Sequence, residues 1–277
     1  MEVRYSADVN TYKRMTTNEL RNSFLVENLF QEDKVKTIYS DVDRAIIGSA
    51  VPVKSSLILE SSKKEMAAEF FAERREIGII NIGEEGSVIA DGKEYSLKNK
   101  DGLYIGRGTK KIEYKSKTLS KPAKFYFVSY PSHKDFPISQ INFSDTESFA
   151  LGSLNNANKR TIHKYIHLNG VKSSQLVMGL TELSEGSVWN TMPAHTHIRR
   201  SEIYMYFNLD KDSVVFHMMG EPAETRNLVI RNGQAVISPS WSIHCGAATK
   251  NYSFIWAMGG ENQVFEDMDP VTMDTLK

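Results

Sequence analysis

Pro193-Ala194-His195-Thr196-His197-Ile198-Arg199-Arg200-Ser201-Glu202, answered later by Pro239-Ser240-Trp241-Ser242-Ile243-His244, decides how the chain is read. In an extended strand side chains alternate faces, so His195 and His197 point the same way and Thr196 points away. Ile198 to Ser201 are enough to turn the chain, which puts Glu202 at the head of a returning strand, opposite the two histidines. His244, delivered by a later strand, completes three imidazoles and one carboxylate. Such a set suits one divalent first-row ion such as zinc, manganese or iron, and ligand type alone does not choose among them.

Short strand-like runs flank this stretch. Ser174 to Leu183, Trp189 to His197, Glu202 to Asn208, Val214 to Met219, Asn227 to Ile230, Ala235 to Ser238 and Tyr252 to Met258 fill the second half. The first half has Thr37 to Ser40, Ala45 to Ser49, Ser56 to Leu59 and Arg75 to Gly83. It continues with Leu103 to Gly106, Ala123 to Tyr130 and a hairpin of Ser87 to Ala90 and Lys93 to Leu97 around Asp91-Gly92. Thr16 to Leu25 reads as a short capped helix with Leu20 and Phe24 on one face. Two sets of short strands with little helix predict a mainly β protein made of two antiparallel barrels or sandwiches. The expected division is an N-terminal arm and helix over 1–30, a first barrel over 31–135, a polar connection over 136–165 and a second barrel over 166–277. Only the second carries H-x-H, so one metal ion per chain is expected, with the first barrel metal-free.

With 277 residues the chain is long enough for two ordinary domains, and Lys plus Arg balances Asp plus Glu at 34 each. That balance, without any block of like charge, speaks against a nucleic acid or a membrane as partner and for a small molecule. The single cysteine, Cys245, excludes an internal disulfide and fits a reducing, cytoplasmic setting. No apolar run approaches the length of a membrane-spanning helix, and no G-x-G-x-x-G fingerprint for a dinucleotide is present.

The ligand spacing resembles the cupin family, whose first motif carries H-x-H and then Glu, and whose second ends in a histidine after a proline-containing turn. His195, His197, Glu202 and His244 fall on those positions, with Gly233 and Pro239 on the second motif's glycine and proline. A longer resemblance is to the 5-keto-4-deoxyuronate isomerase family of bicupins. It is carried by Glu73-Arg74-Arg75-Glu76, Met178-Gly179-Leu180-Thr181-Glu182, Trp189-Asn190-Thr191-Met192-Pro193, Val215-Phe216-His217-Met218-Met219-Gly220, Ile237 to His244 and Gly260-Glu261-Asn262-Gln263-Val264-Phe265. The resemblance implies two cupin-like barrels and a zinc-dependent ketol isomerase of pectin and uronate breakdown, assembled as a homo-oligomer. Its substrate would be 4-deoxy-L-threo-5-hexosulose uronate and its product 3-deoxy-D-glycero-2,5-hexodiulosonate. The same ligands would equally serve an iron-dependent cupin dioxygenase, and a sugar-acid-binding cupin without turnover is the non-enzymatic alternative.

Strand alternation puts Tyr204 and Tyr206 on the face of Glu202, as candidates to relay a proton. His217 is a candidate base because its ordinary pKa lies near neutrality, and Glu261, after Gly259-Gly260, is another. A uronate brings a carboxylate, which arginine binds bidentately. Arg199 and Arg200 in the turn between ligands are the expected holders, with Arg160, Lys164 and Arg226 as further candidates and Trp241 as a pocket wall.

Overall fold

Thr16 opens the chain's first regular helix, Thr17–Phe24, by accepting from the Glu19 amide while the Glu19 carboxylate reaches back to the Thr16 amide. Leu20 and Phe24, one turn apart, are its buried face. The computed structural model describes residues 1–277, and from this helix onward the chain is mainly β.

The chain divides into two compact units. One comprises Met1–Arg4, Leu29–Glu147 and Tyr165–Val177; the other comprises Tyr5–Asn28, Ser148–Lys164 and Met178–Lys277. The first unit holds a seven-stranded sheet in the order Glu2–Arg4, Val35–Ser40, Ile46–Ala50, Phe125–Pro131, Arg75–Asn81, Gly102–Ile105, Ser139–Ile141. Beside it lies a four-stranded sheet, Leu57–Ile58, Ile112–Ser116, Gly86–Ala90, Lys93–Leu97. Its hairpin closes on Asp91 and Gly92 with φ of 48° and 83°, the two positive values that a two-residue turn matched to strand twist requires. Buried residues of both sheets, among them Ile46, Ile77, Val88, Leu97, Tyr114 and Phe127, form one apolar core. Tyr165–Val177 belongs to this unit because the wholly buried Glu76 carboxylate accepts from the amides of Ser174, Gln175 and Leu176 at 2.6–2.9 Å.

The second unit repeats the plan with different segments. Its seven-stranded sheet runs Glu147–Leu151, Arg160–Ile166, Val177–Leu183, Ser253–Gly260, Arg200–Phe207, Gln234–Ser238, Leu25–Val26. Its four-stranded sheet is Trp189–Asn190, Ile243–Ala248, Val215–Glu221, Glu224–Ile230. The strand ending the seven-stranded sheet is contributed by Leu25–Val26, so the N-terminal arm expected as one piece over 1–30 is shared between the units. The connection expected over 136–165 likewise contains the strands Ser139–Ile141, Glu147–Leu151 and most of Arg160–Ile166. These runs lack apolar alternation; Glu147–Leu151 is exposed along most of its length, so nothing local marks it as a strand.

Register shows how the halves differ. The central strands Arg75–Asn81 and Arg200–Phe207 each pair on both sides in the same phase, which makes Ile77 the counterpart of Glu202. Aligning the hairpins that turn after Ala90 and after Glu221 makes Tyr114 the counterpart of His244. Apolar packing thus occupies in the first unit the positions that Glu202 and His244 take in the second.

Candidate metal centre

His195–Thr196 is a two-residue strand paired with Asp269–Pro270, His195 opposite Pro270. The strand expected over Trp189 to His197 is therefore broken, with Thr191 at φ 53° between its two pieces. The His197 amide then donates to the Ser240 carbonyl at 3.3 Å and the Arg200 amide to the His197 carbonyl at 3.2 Å, closing the turn that starts strand Arg200–Phe207. Glu202 lies near the start of that strand and His244 near the start of Ile243–Ala248.

These elements bring four ligand atoms within 4.8 Å of one another. Nε2 of His195 lies 3.1 Å from Nε2 of His197 and 3.0 Å from Nε2 of His244. The Oε2 atom of Glu202 lies 3.2 Å from His197 Nε2 and 2.9 Å from His244 Nε2. Outward, His197 Nδ1 meets the Asp267 carbonyl at 2.7 Å and His244 Nδ1 the Ser242 carbonyl at 3.4 Å. A carbonyl only accepts, so both Nδ1 atoms carry the proton and both Nε2 lone pairs face inward. Lone pairs and a carboxylate crowding one point are relieved by a cation, and the donor set fits a divalent ion. Burial, reinforced by His244 and His197, lowers His195 to about 3, so it is neutral and able to ligate. Burial opposes charge on Glu202, and what holds its carboxyl well below the usual range is positive charge beside it, from His244 and His197 when protonated or from an ion in their place.

A cavity of about 370 Å³ opens on His195, His197 and Glu202. Phe254, Trp256 and Met258 pair directly with Tyr206, Tyr204 and Glu202, and directly opposed residues share a face, which is why all three line it. Its other polar groups include Arg160, Thr191 and the Tyr204 hydroxyl, which sits 3.2 Å from Thr191 Oγ1. Burial raises the Tyr204 pKa well above its ordinary value, so the hydroxyl keeps its proton.

The remaining expected site residues are placed elsewhere. Tyr206 and His217 lie beyond the cavity lining, hydroxyl to Nδ1 at 2.7 Å, and burial pushes His217 down to about 3. His217, expected as a candidate base, is a buried core histidine bonded to Tyr206, and its side chain does not line the cavity. Glu261 is exposed on the turn after Gly260, its amide donating to the Arg199 carbonyl at 2.9 Å, and its side chain does not line the cavity. Arg199 donates Nε to both Asp267 oxygens at 2.9 Å and reaches Asp269. Arg200 is 1% exposed and donates to the carbonyls of Val264, Phe265 and Asp267 at 2.6–3.1 Å. A buried guanidinium requires such partners, so the expected carboxylate holders instead pin the 264–269 segment. Trp241 stacks on Tyr12 at 4.7 Å and meets Phe24 edge-on; it is not a cavity wall. Arg226 donates to the carbonyls of Tyr12, Lys13 and Met15, and the Lys164 ammonium lies over the Phe149 and Phe265 rings. Thr191, Trp256 and Met258 escaped sequence reading; strand alternation marks the last two only once their pairing with Arg200–Phe207 is known.

A family model described as the KduI/IolB family matches residues 24–273. Over 277 residues, 100% of both chains, the sequence is 56% identical to the 4-deoxy-L-threo-5-hexosulose-uronate ketol-isomerase of Caldicellulosiruptor bescii. It is 52% identical over 281 residues, again 100% of both, to the protein of the same name from Lachnospira eligens. Among solved structures it is similar to an IolB-like protein from Salmonella typhimurium, with TM-score 0.71 and 13% identity over 90% of this chain and 96% of that one, a likeness of fold.

Proposed function

The chain belongs to the KduI/IolB family, and from that premise we propose that it is a ketol isomerase converting 4-deoxy-L-threo-5-hexosulose uronate to 3-deoxy-D-glycero-2,5-hexodiulosonate. The observation that carries the reading is the convergence of three imidazoles and one carboxylate at the wall of a cavity of small-molecule size. The reaction moves one hydrogen from the hydroxyl-bearing carbon to the neighbouring aldehyde carbon, and the hydroxyl proton passes to the other oxygen. No electrons enter or leave, so nicotinamide, flavin and oxygen are not required.

His195, His197, Glu202 and His244 hold one divalent ion, read here as zinc. When bound, the ion supplies Lewis acidity against negative charge developing on the carbonyl oxygen. Tyr204 keeps its proton and donates a hydrogen bond to a substrate oxygen, with Thr191 orienting the hydroxyl. Phe254, Trp256 and Met258 make an apolar wall that excludes water from the reacting carbons. A place in pectin and uronate breakdown follows from the substrate, and a cytoplasmic setting is supported by the single, buried, unbridged thiol of Cys245. Assembly as a homo-oligomer is part of the same reading and is checked by light scattering.

Metal analysis followed by an isomerisation assay tests the function. Activity is expected without added cofactor or oxygen, to stop on chelation and to return with a divalent ion. Undiminished turnover in a demonstrably metal-free sample overturns the reading, and turnover that consumes oxygen replaces it with the dioxygenase.

A further inference from the structure

We propose that Arg160 holds the carboxylate of the substrate, fixing the acid end of the ketouronate while its aldehyde end lies at the histidine cluster; this rests on the isomerase reading above. Arg160 is the only cationic side chain of lysine or arginine type lining the cavity. It has no carboxylate partner. Its Nη1 donates to the Asn158 carbonyl at 3.0 Å, and the guanidinium's remaining donors suit a planar carboxylate.

The surroundings favour this use. Leu151, Ile162, Met192, Phe254, Trp256 and Phe265 supply apolar wall, so a carboxylate entering without Arg160 would be desolvated and unpaired at considerable cost. The arginine is also well placed by its backbone. It opens strand Arg160–Ile166, and the turn before it is tied at three points. Asn158 Oδ1 accepts from the Ser153 amide at 2.9 Å, the Lys159 amide donates to Ser187 Oγ at 3.0 Å, and the Val188 amide donates to the Ala157 carbonyl at 2.7 Å. An anchored cation loses little freedom on binding its ligand. The competing arginines, Arg199, Arg200 and Arg226, are committed to protein acceptors.

The carboxylate lies at the opposite end of a six-carbon chain from the reacting aldehyde. A contact to that remote group stabilises ground state and transition state together, so its loss appears in KM more than in kcat. The experiment compares wild type, Arg160→Gln and Arg160→Lys on the ketouronate and on its uncharged C6 methyl ester, with metal content and thermal melting checked for each protein. For Arg160→Gln the KM for the acid is expected to rise roughly ten- to a hundred-fold, the loss of one charge-assisted contact, with kcat little changed. The ester is expected to show the same KM with wild type and variant. Arg160→Lys, a point charge without the planar fork, should fall between. An Arg160→Gln protein that binds its metal and keeps the wild-type KM for the acid overturns the proposal. So does a wild type that takes acid and ester with equal KM, a comparison that needs no variant to fold. A wild type that isomerises neither substrate overturns the isomerase reading, and the carboxylate clamp with it.

Discussion

At His217 the imidazole is wholly buried, bonded through Nδ1 to Tyr206, and lowered from its ordinary 6.5 to about 3 chiefly by burial. Between those two pH values the unfolded chain binds a proton that the folded chain refuses. The stability His217 contributes is therefore fully present above pH 6.5 and is lost as pH falls toward 3, at about 1.4 kcal/mol per pH unit. In His217→Asn the slope of unfolding free energy against pH, from urea titrations of metal-free protein, should flatten by about that amount. Its kcat should fall far less than the ~10²–10⁴-fold typical of losing a general base. An unchanged slope, or a loss of that size in kcat, would restore His217 as a working base. Sequence nominated this residue because imidazole chemistry is visible in a name, whereas burial is not. The candidate ligand cluster was legible for the opposite reason: H-x-H fixes a shared face locally, and only His244 had to be brought from a distance. Arg200 was illegible because its acceptors lie on Val264, Phe265 and Asp267, far along the chain.

Among elements, the strand Arg200–Phe207 is buried throughout and joins two functions in alternation. Glu202 and Tyr204 reach the cavity, while Ile203 and Met205 take the other face. That alternation was readable, but the strand Trp189 to His197 was expected whole and is interrupted where Thr191 takes positive φ, a bend that no glycine announces. Trp241, expected as a pocket wall, sits in the approach to His244 but turns its ring elsewhere. It lies in the turn closed by the Ser242 amide on the Pro239 carbonyl, and its ring packs on Tyr12 and on Phe24 of the first helix. Its contribution is to fasten the N-terminal segment to the turn that delivers His244. Trp241→Ala should lower stability by about 3 kcal/mol, as removal of a packed aromatic does, and leave metal content and KM unchanged. Chemical denaturation and steady-state kinetics read the two effects separately. A raised KM at unchanged stability would return Trp241 to the cavity wall.

Across the whole molecule, the two units share a strand order although no residue-level repeat connects the halves. A β architecture needs only alternation and turns, which many sequences satisfy, so duplication survives in topology after it is lost in identity. The sequence showed two sets of strands; exchange of short end strands between units was hidden because Leu25–Val26 and Ser139–Ile141 pair with partners distant in sequence. Register makes the functional asymmetry physical: Ile77 and Tyr114, members of an apolar core, stand where Glu202 and His244 converge in the other unit. The expected stoichiometry is one tightly bound divalent ion per chain, and its removal should be felt unevenly. A ligand bound only by the folded state at about a hundred times its Kd stabilises by about 2.7 kcal/mol, and that protection is lost first where the ligand sits. Hydrogen exchange with and without chelator should therefore accelerate amides of Arg200–Phe207 and Ile243–Ala248. Amides of Arg75–Asn81 and Ile112–Ser116 should keep their protection. Equal loss in both sets of strands, or two ions per chain by elemental analysis, would contradict confinement of the metal to the second unit.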